Sequence, residues 1–352
     1  MKQEQKKSFD FIIYIGRMQP PTKAHIANVI KALELSKFVI VLFGSSFQPR
    51  TVKNPWVWHE RAAMLLNQLP PEKTGKIKCR GIKDFRYNDQ EWARQIQHIV
   101  KNETIGYDKP KIGIIGCKKD DSSYYLDMFP QWEMIDTAKI EDVNATTVRE
   151  EYFSGNILQG NDKNLISEQL KQYLQQWAKS EEYFTLVEEF NFINSYKKAW
   201  ESAPYPPIFV TTDAAVIQSG HILLVKRRAA PGKGLWALPG GFVNQHEFVD
   251  DAVFRELIEE TKIKVPEKIL RGSIVAKRVF DHPGRSLRGR TITHAFSILL
   301  PNGELSKVKG ADDAVKAKWF PLDDALEMSE YLFEDHFDVI KWAIDECNRR
   351  EK

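Results

Sequence analysis

The chain has 352 residues, 42% of them hydrophobic, and carries 51 basic against 48 acidic side chains for a formal charge of +3. That length favours two domains and supports ordinary buried cores. The near balance of charge excludes a dedicated nucleic-acid binder, whose basic surplus would be plain. Its three cysteines, Cys79, Cys117 and Cys347, include no two at metal-ligand spacing, so neither a disulfide framework nor a zinc site is expected and a reduced, cytoplasmic setting is the default. The polar opening MKQEQKKSFD and the short apolar run FIIYI after it offer no signal core or membrane span, so no membrane partner is expected.

In chain order, FIIYIG (11–16) reads as a buried strand and residues 23–35 as a helix with Ala24, Ala27, Ile30 and Leu33 on its apolar face. FVIVLFG (38–44) and KIGIIG (111–116) read as further strands, a βαβ rhythm that predicts a parallel sheet covered by helices on both faces. Ligands of such sheets bind at the carboxyl ends of the strands, which directs attention to the loops after Ile15, Phe43 and Ile115. Residues 164–200 read as helical, and SAPYPPIF then stops the helix with three prolines in four positions. The expected domains are therefore 1–185 and 203–352, with a helical linker over 186–202. Beyond it the texture changes to a mixed α/β domain. It has a hairpin about Ser219-Gly220, a strand pair at 272–280 and 291–300, and helices at 247–260 and 333–348.

The densest chemistry lies in GFVNQHEFVDDAVFRELIEETKI, from Gly241 to Ile263. Glu256, Glu259 and Glu260 are spaced i, i+3, i+4 and share one helix face, while Val249, Ala252, Val253 and Leu257 form the stripe that docks it. Like charges at that spacing cost roughly 0.2–0.5 kcal/mol per pair. A divalent cation would remove that cost, and an oxygen-only donor set suits Mg²⁺ or Mn²⁺. A solvated acidic helix face would leave unexplained the Pro239-Gly240-Gly241 turn, Glu247 and Arg255 beside the set. Downstream, FDHPGRSLRGR (280–290) places Arg285, Arg288 and Arg290 on a Gly-containing loop suited to phosphate or ribose, or else to a solvated basic hairpin. Asp312 and Asp313 could add a loop carboxylate or be structural.

In the first half, GRMQPPTKAH (16–25) follows the first strand. Gly16 permits close ligand approach, Thr22 is a plausible N-cap, and His25 falls in the first helical turn, where free N–H groups favour phosphate. VNATTVRE (143–150) repeats the arrangement, with Thr146 or Thr147 as cap and Arg149 in the first turn. Two helix N-termini on one phosphate chain would make an adenylyl-transfer cradle. No GxGxxG follows the first strand, which disfavours a nicotinamide-cofactor dehydrogenase.

The stretch Gly241, Glu247, Arg255, Glu256, Leu257, Glu259, Glu260, Ile263 resembles the Nudix box, with Lys262 where that family has glycine after the helix. The resemblance implies Glu256, Glu259 and Glu260 as metal ligands or base, a Gly240 or Gly241 carbonyl assisting, and Arg255 orienting a glutamate. The loop at 280–290 is similar to that of ADP-ribose pyrophosphatases and of ADP-ribose-sensing Nudix relatives, which implies ADP-ribose contacts from its arginines.

The first half resembles the HxGH nucleotidyltransferases of the archaeal nicotinamide-mononucleotide adenylyltransferase type over roughly residues 9–185. The match is carried by Gly16, Arg17, Gln19, Pro20, Thr146 and Arg149, with RTVKNPWVWHER, NDQEWARQI and IIGCKKDDSSYYLDMFP in order between them; Thr22 and Ala24 replace the first His and the Gly of HxGH. This likeness implies ATP contacts from Gly16, Arg17, Thr22, His25, Gly116, Thr146 and Arg149, catalysis by His25 and Arg149, and mononucleotide contacts from Arg50 and Trp92.

The fusion resembles bifunctional bacterial enzymes of NAD synthesis. It implies adenylyl transfer from ATP to nicotinamide mononucleotide and metal-dependent hydrolysis of ADP-ribose to AMP and ribose 5-phosphate. A Nudix half that senses without hydrolysing, a different phosphorylated acceptor in the first half, and a homo-oligomer all stay open at this point.

Overall fold

The computed structural model of the protein describes residues 7–117, 121–137, 144–160 and 166–350, with backbone alone at 121–123. Val143 of the second N-terminal motif, residues 118–120 of IIGCKKDDSSYYLDMFP and residues 164–165 of the predicted helical stretch lie outside the described residues. The chain divides into two compact units, Met1–Val187 and Glu188–Lys352.

The first unit runs β1 (Phe9–Gly16), α1 (Lys23–Leu35), β2 (Ser36–Ser46), α2 (Trp58–Leu66), α3 (Pro71–Thr74), β3 (Ile77–Lys83), α4 (Asp89–Glu103), β4 (Ile112–Gly116), a 3₁₀ segment (Asp121–Met128), β5 (Glu133–Asp136), α5 (Ala145–Phe153) and α6 (Glu168–Trp177). The order β3-β2-β1-β4-β5 with every neighbour parallel is the Rossmann-like sheet that the alternation of strands and helices predicts. β1 explains why: its side chains alternate between two cores, as the period of a strand demands. Ile12 and Tyr14 join Val29 and Leu33 of α1 and Leu65 of α2, whereas Phe11, Ile13 and Ile15 join Ala93, Ile96 and Val100 of α4. The winding direction reverses between β1 and β4, so their carboxyl ends open the crevice where ligands of such sheets sit.

The helical stretch expected over 164–200 is two helices. α6 stops at Trp177, and α7 (Glu181–Lys198) starts after Ser180, whose hydroxyl donates to the Trp177 carbonyl (2.7 Å) and accepts the Tyr183 N–H (3.3 Å). A serine that satisfies both helix ends in this way breaks a periodic pattern that the apolar positions alone would carry through.

The second unit contains β6 (Ile208–Gln218), β7 (His221–Arg227), β8 (Trp236–Ala237), β9 (Gly240–Phe242), α8 (Val249–Thr261), α9 (Glu267–Gly272), β10 (Ile274–Phe280), β11 (Arg290–Leu299), β12 (Ala314–Pro321), α10 (Leu322–Glu327) and α11 (His336–Arg350). Its sheet is mixed, with path β10-β11-β6-β7-β12 and β8 and β9 attached to β7 and β6; β11 and β6 pair in parallel and their neighbours antiparallel. The β6–β7 turn is the one Ser219-Gly220 predicts, both residues having positive φ (46° and 72°), as a two-residue hairpin requires. Val253, Phe254 and Leu257 of α8 pack with Ala214, Val216, Phe296 and Ile298 on one face of the sheet. Ser297 points to the other face, where its hydroxyl donates to Ala343 of α11 (3.2 Å). Among the described residues no helix is long and apolar enough to cross a membrane.

Candidate active sites

In the first unit the loop from Arg17 to Pro21 crosses the carboxyl edge of the sheet and enters α1 through Thr22 at the N-cap. Gln19, 2% exposed, fastens this loop to the 50–57 segment: its amide donates to the Trp56 carbonyl (2.9 Å) and accepts the Trp56 N–H (3.2 Å). His25 is the third residue of α1, and its Nδ1 accepts the Thr22 N–H at 2.9 Å and lies 2.8 Å from the Thr22 hydroxyl. A backbone N–H can only donate, so Nδ1 is bare and the neutral ring carries its proton on Nε2.

Cations gather on the same loop. Arg149, from α5, donates through Nη1 to the Gln19 carbonyl (2.6 Å) and through Nη2 to the Thr146 hydroxyl (3.1 Å). Burial, then Arg17, pulls its pKa down to about 10. Fully buried Arg61 donates to the carbonyls of Arg17 and Gly44 and to the Ser46 hydroxyl (3.0 Å); burial, with Arg17 acting in the same direction, brings it to about 10. Lys53 is lowered by burial and then by Arg17 and Arg86. Asp84 is the acid that offsets Lys53 and Arg61, and it also accepts the Ser45 N–H (2.9 Å) and hydroxyl (2.6 Å). Like charges held close enough to depress one another form a site for a polyanion.

The structure therefore brings Arg17, Thr22, His25 and Arg149 together. Gly16 ends β1, where a Cβ would lie 3.2 Å from the Met18 side chain. Gly116 ends β4, and its carbonyl accepts the Thr137 N–H (3.0 Å). The cap of α5 differs from the expectation: Asn144 accepts the Thr146 N–H (3.0 Å), so neither Thr146 nor Thr147 is the cap, and Arg149 sits just beyond the first turn. Asn is the stronger capping residue, and it wins that position. Arg50 forks onto Glu60 (2.6 and 3.0 Å) with its guanidinium 5.8 Å from the centre of the Trp177 ring. Trp92 packs edge-on to Tyr125 (5.9 Å) and against Phe129 (6.0 Å).

In the second unit Arg255 is the organising group. Its Nε and Nη2 fork onto Glu247 (2.9 and 2.7 Å), its Nη1 donates to Glu256 (2.8 Å) and Glu259 (3.0 Å), and Nη2 also reaches the Phe242 carbonyl (3.1 Å). Glu260 is buried and accepts the Gly240 N–H (3.0 Å); burial pushes its carboxyl up to about 8. Glu256 is raised too, by burial first and then by Glu259 and Asp312. The two glycines exist for close approach: a Cβ on Gly240 would lie 2.0 Å from the Thr212 carbonyl, and one on Gly241 2.6 Å from the Glu256 carboxylate. Lys262 ends α8 at φ 47°, ψ 34°, the left-handed conformation for which a glycine is usual.

Beside the glutamates lies a cavity of about 280 Å³ lined by Glu256 and Glu260 and also by Arg227 and Arg288. Among the described residues no three acids or histidines already stand as a metal cage. Arg255 supplies counter-charge to Glu256 and Glu259, while Glu260 is buried and lines the cavity with the Gly240 N–H as its hydrogen-bond donor. An all-oxygen set of that kind fits a hard divalent cation. Of the three loop arginines, Arg288 lines the cavity with its guanidinium 5.2 Å from the Phe242 ring centre. Arg285 also reaches the wall, but its Nε and Nη2 fork onto buried Asp335 (3.0 and 2.8 Å). Arg290 donates to the Asp281 carbonyl and is not part of the wall. Asp313 lines the cavity as well.

A cation-lined crevice on a parallel sheet and an Arg-clamped glutamate helix beside a charged cavity define a two-domain enzyme of nucleotide chemistry. The NUDIX domain family matches residues 208–343. Over 183 residues the chain is 36% identical to the nicotinamide/nicotinic acid mononucleotide adenylyltransferase of Acinetobacter baylyi, covering 52% of this chain and 94% of that protein. Over 132 residues it is 38% identical to the ADP-ribose pyrophosphatase of Methanocaldococcus jannaschii, covering 38% of this chain and 70% of that one. A crystal structure of the bifunctional NMN adenylyltransferase/ADP ribose pyrophosphatase from Francisella tularensis, complexed with AMP and Mn ion, matches with a TM-score of 0.85 at 33% identity, covering 96% of this chain and 99% of that one. The chain belongs to this family of bifunctional NMN adenylyltransferase/ADP-ribose pyrophosphatases, as the order of its motifs implies.

Sequence reasoning passed over Lys53, Arg61, Asp84 and Arg86 in the first site and Asp213, Arg227, Asp335 and His336 in the second. Lys53 and Arg61 lie inside the quoted RTVKNPWVWHER, so its basic residues were the available signal there, and Arg227 closes the strand HILLVKR, where a cation at a strand end was the signal.

Proposed function

We propose that the first unit transfers the adenylyl group of ATP to nicotinamide mononucleotide, releasing pyrophosphate and NAD, and that the second hydrolyses ADP-ribose to AMP and ribose 5-phosphate. The observation that carries the first half is the set Arg17, Lys53, Arg61, Arg86 and Arg149, whose mutual repulsion a triphosphate would relieve. In that reaction the mononucleotide phosphate attacks the α-phosphorus of ATP and the bond to the β-phosphate oxygen breaks. His25 Nε2–H would donate to the transferring group, while Arg17 and Arg149 hold the departing negative charge; no protein nucleophile is needed.

For the second unit, Glu256, Glu259 and Glu260 with a Gly240 or Gly241 carbonyl would hold Mg²⁺ or Mn²⁺. The bound ion would supply charge neutralisation on the diphosphate and acidify water. Arg227 and Arg288, which line the same cavity, would orient the diphosphate, and Arg285 would act mainly through Asp335. Incubation with ATP, nicotinamide mononucleotide and Mg²⁺, and separately with ADP-ribose and Mn²⁺, followed by chromatography, tests both reactions. NAD in the first and AMP in the second are expected. Product from another phosphorylated acceptor but none from the mononucleotide would sink the first reading, and intact ADP-ribose the second.

A further inference from the structure

His336, the buried first residue of α11, takes no part in the chemistry above and is 98 positions from the nearest glycine-turn residue it touches. Its Nδ1 accepts the Leu238 N–H at 2.8 Å. Since a backbone N–H cannot accept, Nδ1 is unprotonated, and the bond depends on an acceptor at that ring position. Leu238 is the first of three consecutive residues held from three directions. α11 holds Leu238. The Pro239 carbonyl accepts the Ala214 N–H from β6 (2.8 Å), and the Gly240 N–H goes to Glu260 (3.0 Å).

The segment has no slack. Gly240 pairs with Asp213 so closely that even a methyl group there would meet the Thr212 carbonyl, and Gly241 lies directly under the Glu256 carboxylate. On its other side His336 is backed by a charged set: its Nε2 is 3.7 Å from Asp213, which accepts the Thr293 hydroxyl (2.6 Å) and lies 3.8 Å from Arg285, itself forked on Asp335. That backing fixes the ring where its Nδ1 meets Leu238.

We infer that His336 is a positioning residue of the hydrolase centre, holding Leu238 so that Gly240 and Gly241 are presented to Glu260 and Glu256 at the separation these carboxylates need. This rests on the proposal that those glutamates take a divalent cation. Outer partners that orient first ligands typically govern metal affinity.

The test uses the full chain and two amide substitutions. In His336→Asn the side-chain oxygen takes the place of Nδ1 and keeps the bond to Leu238; in His336→Gln the acceptor lies one methylene farther and cannot. Mn²⁺ alone is the probe, with the free ion counted by electron paramagnetic resonance during titration. His336→Asn should bind within about twofold of the unsubstituted protein and His336→Gln roughly tenfold more weakly. The Leu238 amide should stay protected from hydrogen exchange in the first and lose protection in the second. If the unsubstituted chain takes up no Mn²⁺, the underlying metal reading fails. If it does and the two variants bind alike, whether both well or both poorly, the positioning role is overturned. Loss of Mn²⁺ affinity in a folded His336→Asn protein overturns it whatever the glutamine variant does.

Discussion

The adjacent glycines of the hydrolase turn should respond in opposite ways to the same added methyl group. In Gly241→Ala the new Cβ would lie 2.6 Å from the Glu256 carboxylate, about 0.8 Å inside the 3.4 Å of ordinary contact. The obstacle is the end of a flexible side chain, so the carboxylate can swing away at little cost. The fold should lose less than about 1 kcal/mol. The displacement falls on a group proposed to grip the cation, where misplacement by about 1 Å can cost on the order of 100-fold in rate. In Gly240→Ala the Cβ would meet the Thr212 carbonyl at 2.0 Å, and a β6 backbone atom cannot rotate aside. Strain of that kind costs roughly 1–3 kcal/mol or more. Urea denaturation and ADP-ribose hydrolysis, measured on both variants, separate the two effects. The expected pattern is a stable but nearly inactive Gly241→Ala protein and a destabilised Gly240→Ala one. Hydrolysis at the unsubstituted rate in Gly241→Ala, or unchanged stability in Gly240→Ala, would refute the reasoning.

Three further outcomes follow from other contacts. The Arg255 fork holds the Glu247 carboxyl down to about 2 from an ordinary 4.5. Its contribution is therefore complete above about pH 4.5 and disappears as pH falls through about 2, because the unfolded chain binds the proton first. After discounting for solvent screening, Glu247→Gln should cost on the order of 1–2 kcal/mol at pH 7, and the gap should narrow in urea melts at pH 3; a constant gap would count against it. Lys262→Gly should raise stability by about 0.5–1 kcal/mol, because glycine adopts the left-handed cap without strain, and leave hydrolysis unchanged; a destabilised variant would contradict this. Arg149→Lys, which keeps the charge but cannot reach both the Gln19 carbonyl and the Thr146 hydroxyl, should lower kcat/KM for adenylyl transfer about 100-fold, and an unaltered value would remove Arg149 from the site.

The parts of the molecule that could be read from its sequence are those where a local pattern and a tertiary role coincide. β1 and α1 announce themselves because one strand is buried on both faces and one helix on a single stripe. The glutamate helix is legible because its charges share a face that burial would penalise without a cation. β3 was not legible: it is an edge strand whose IKCRGIK alternates only over Ile77–Arg80 before Gly81 interrupts the pattern and Ile82 joins the opposite core. β5 is four residues long and offers no period at all. Arg285 lies on the cavity lining where its basic loop suggests, but its ion-pair partner Asp335 is 50 residues away, and no spacing rule reaches that far. The same holds for His336 and Leu238.

The central claim is that two separate anion-handling centres serve two reactions in one chain, and a crossed pair of substitutions tests it most directly. His25→Asn and Glu256→Gln are each assayed, in the full chain, for NAD formation and for AMP release from ADP-ribose. The first should lose adenylyl transfer and keep hydrolysis, and the second should do the reverse. Loss of both activities in either variant, or of neither in both, would contradict it.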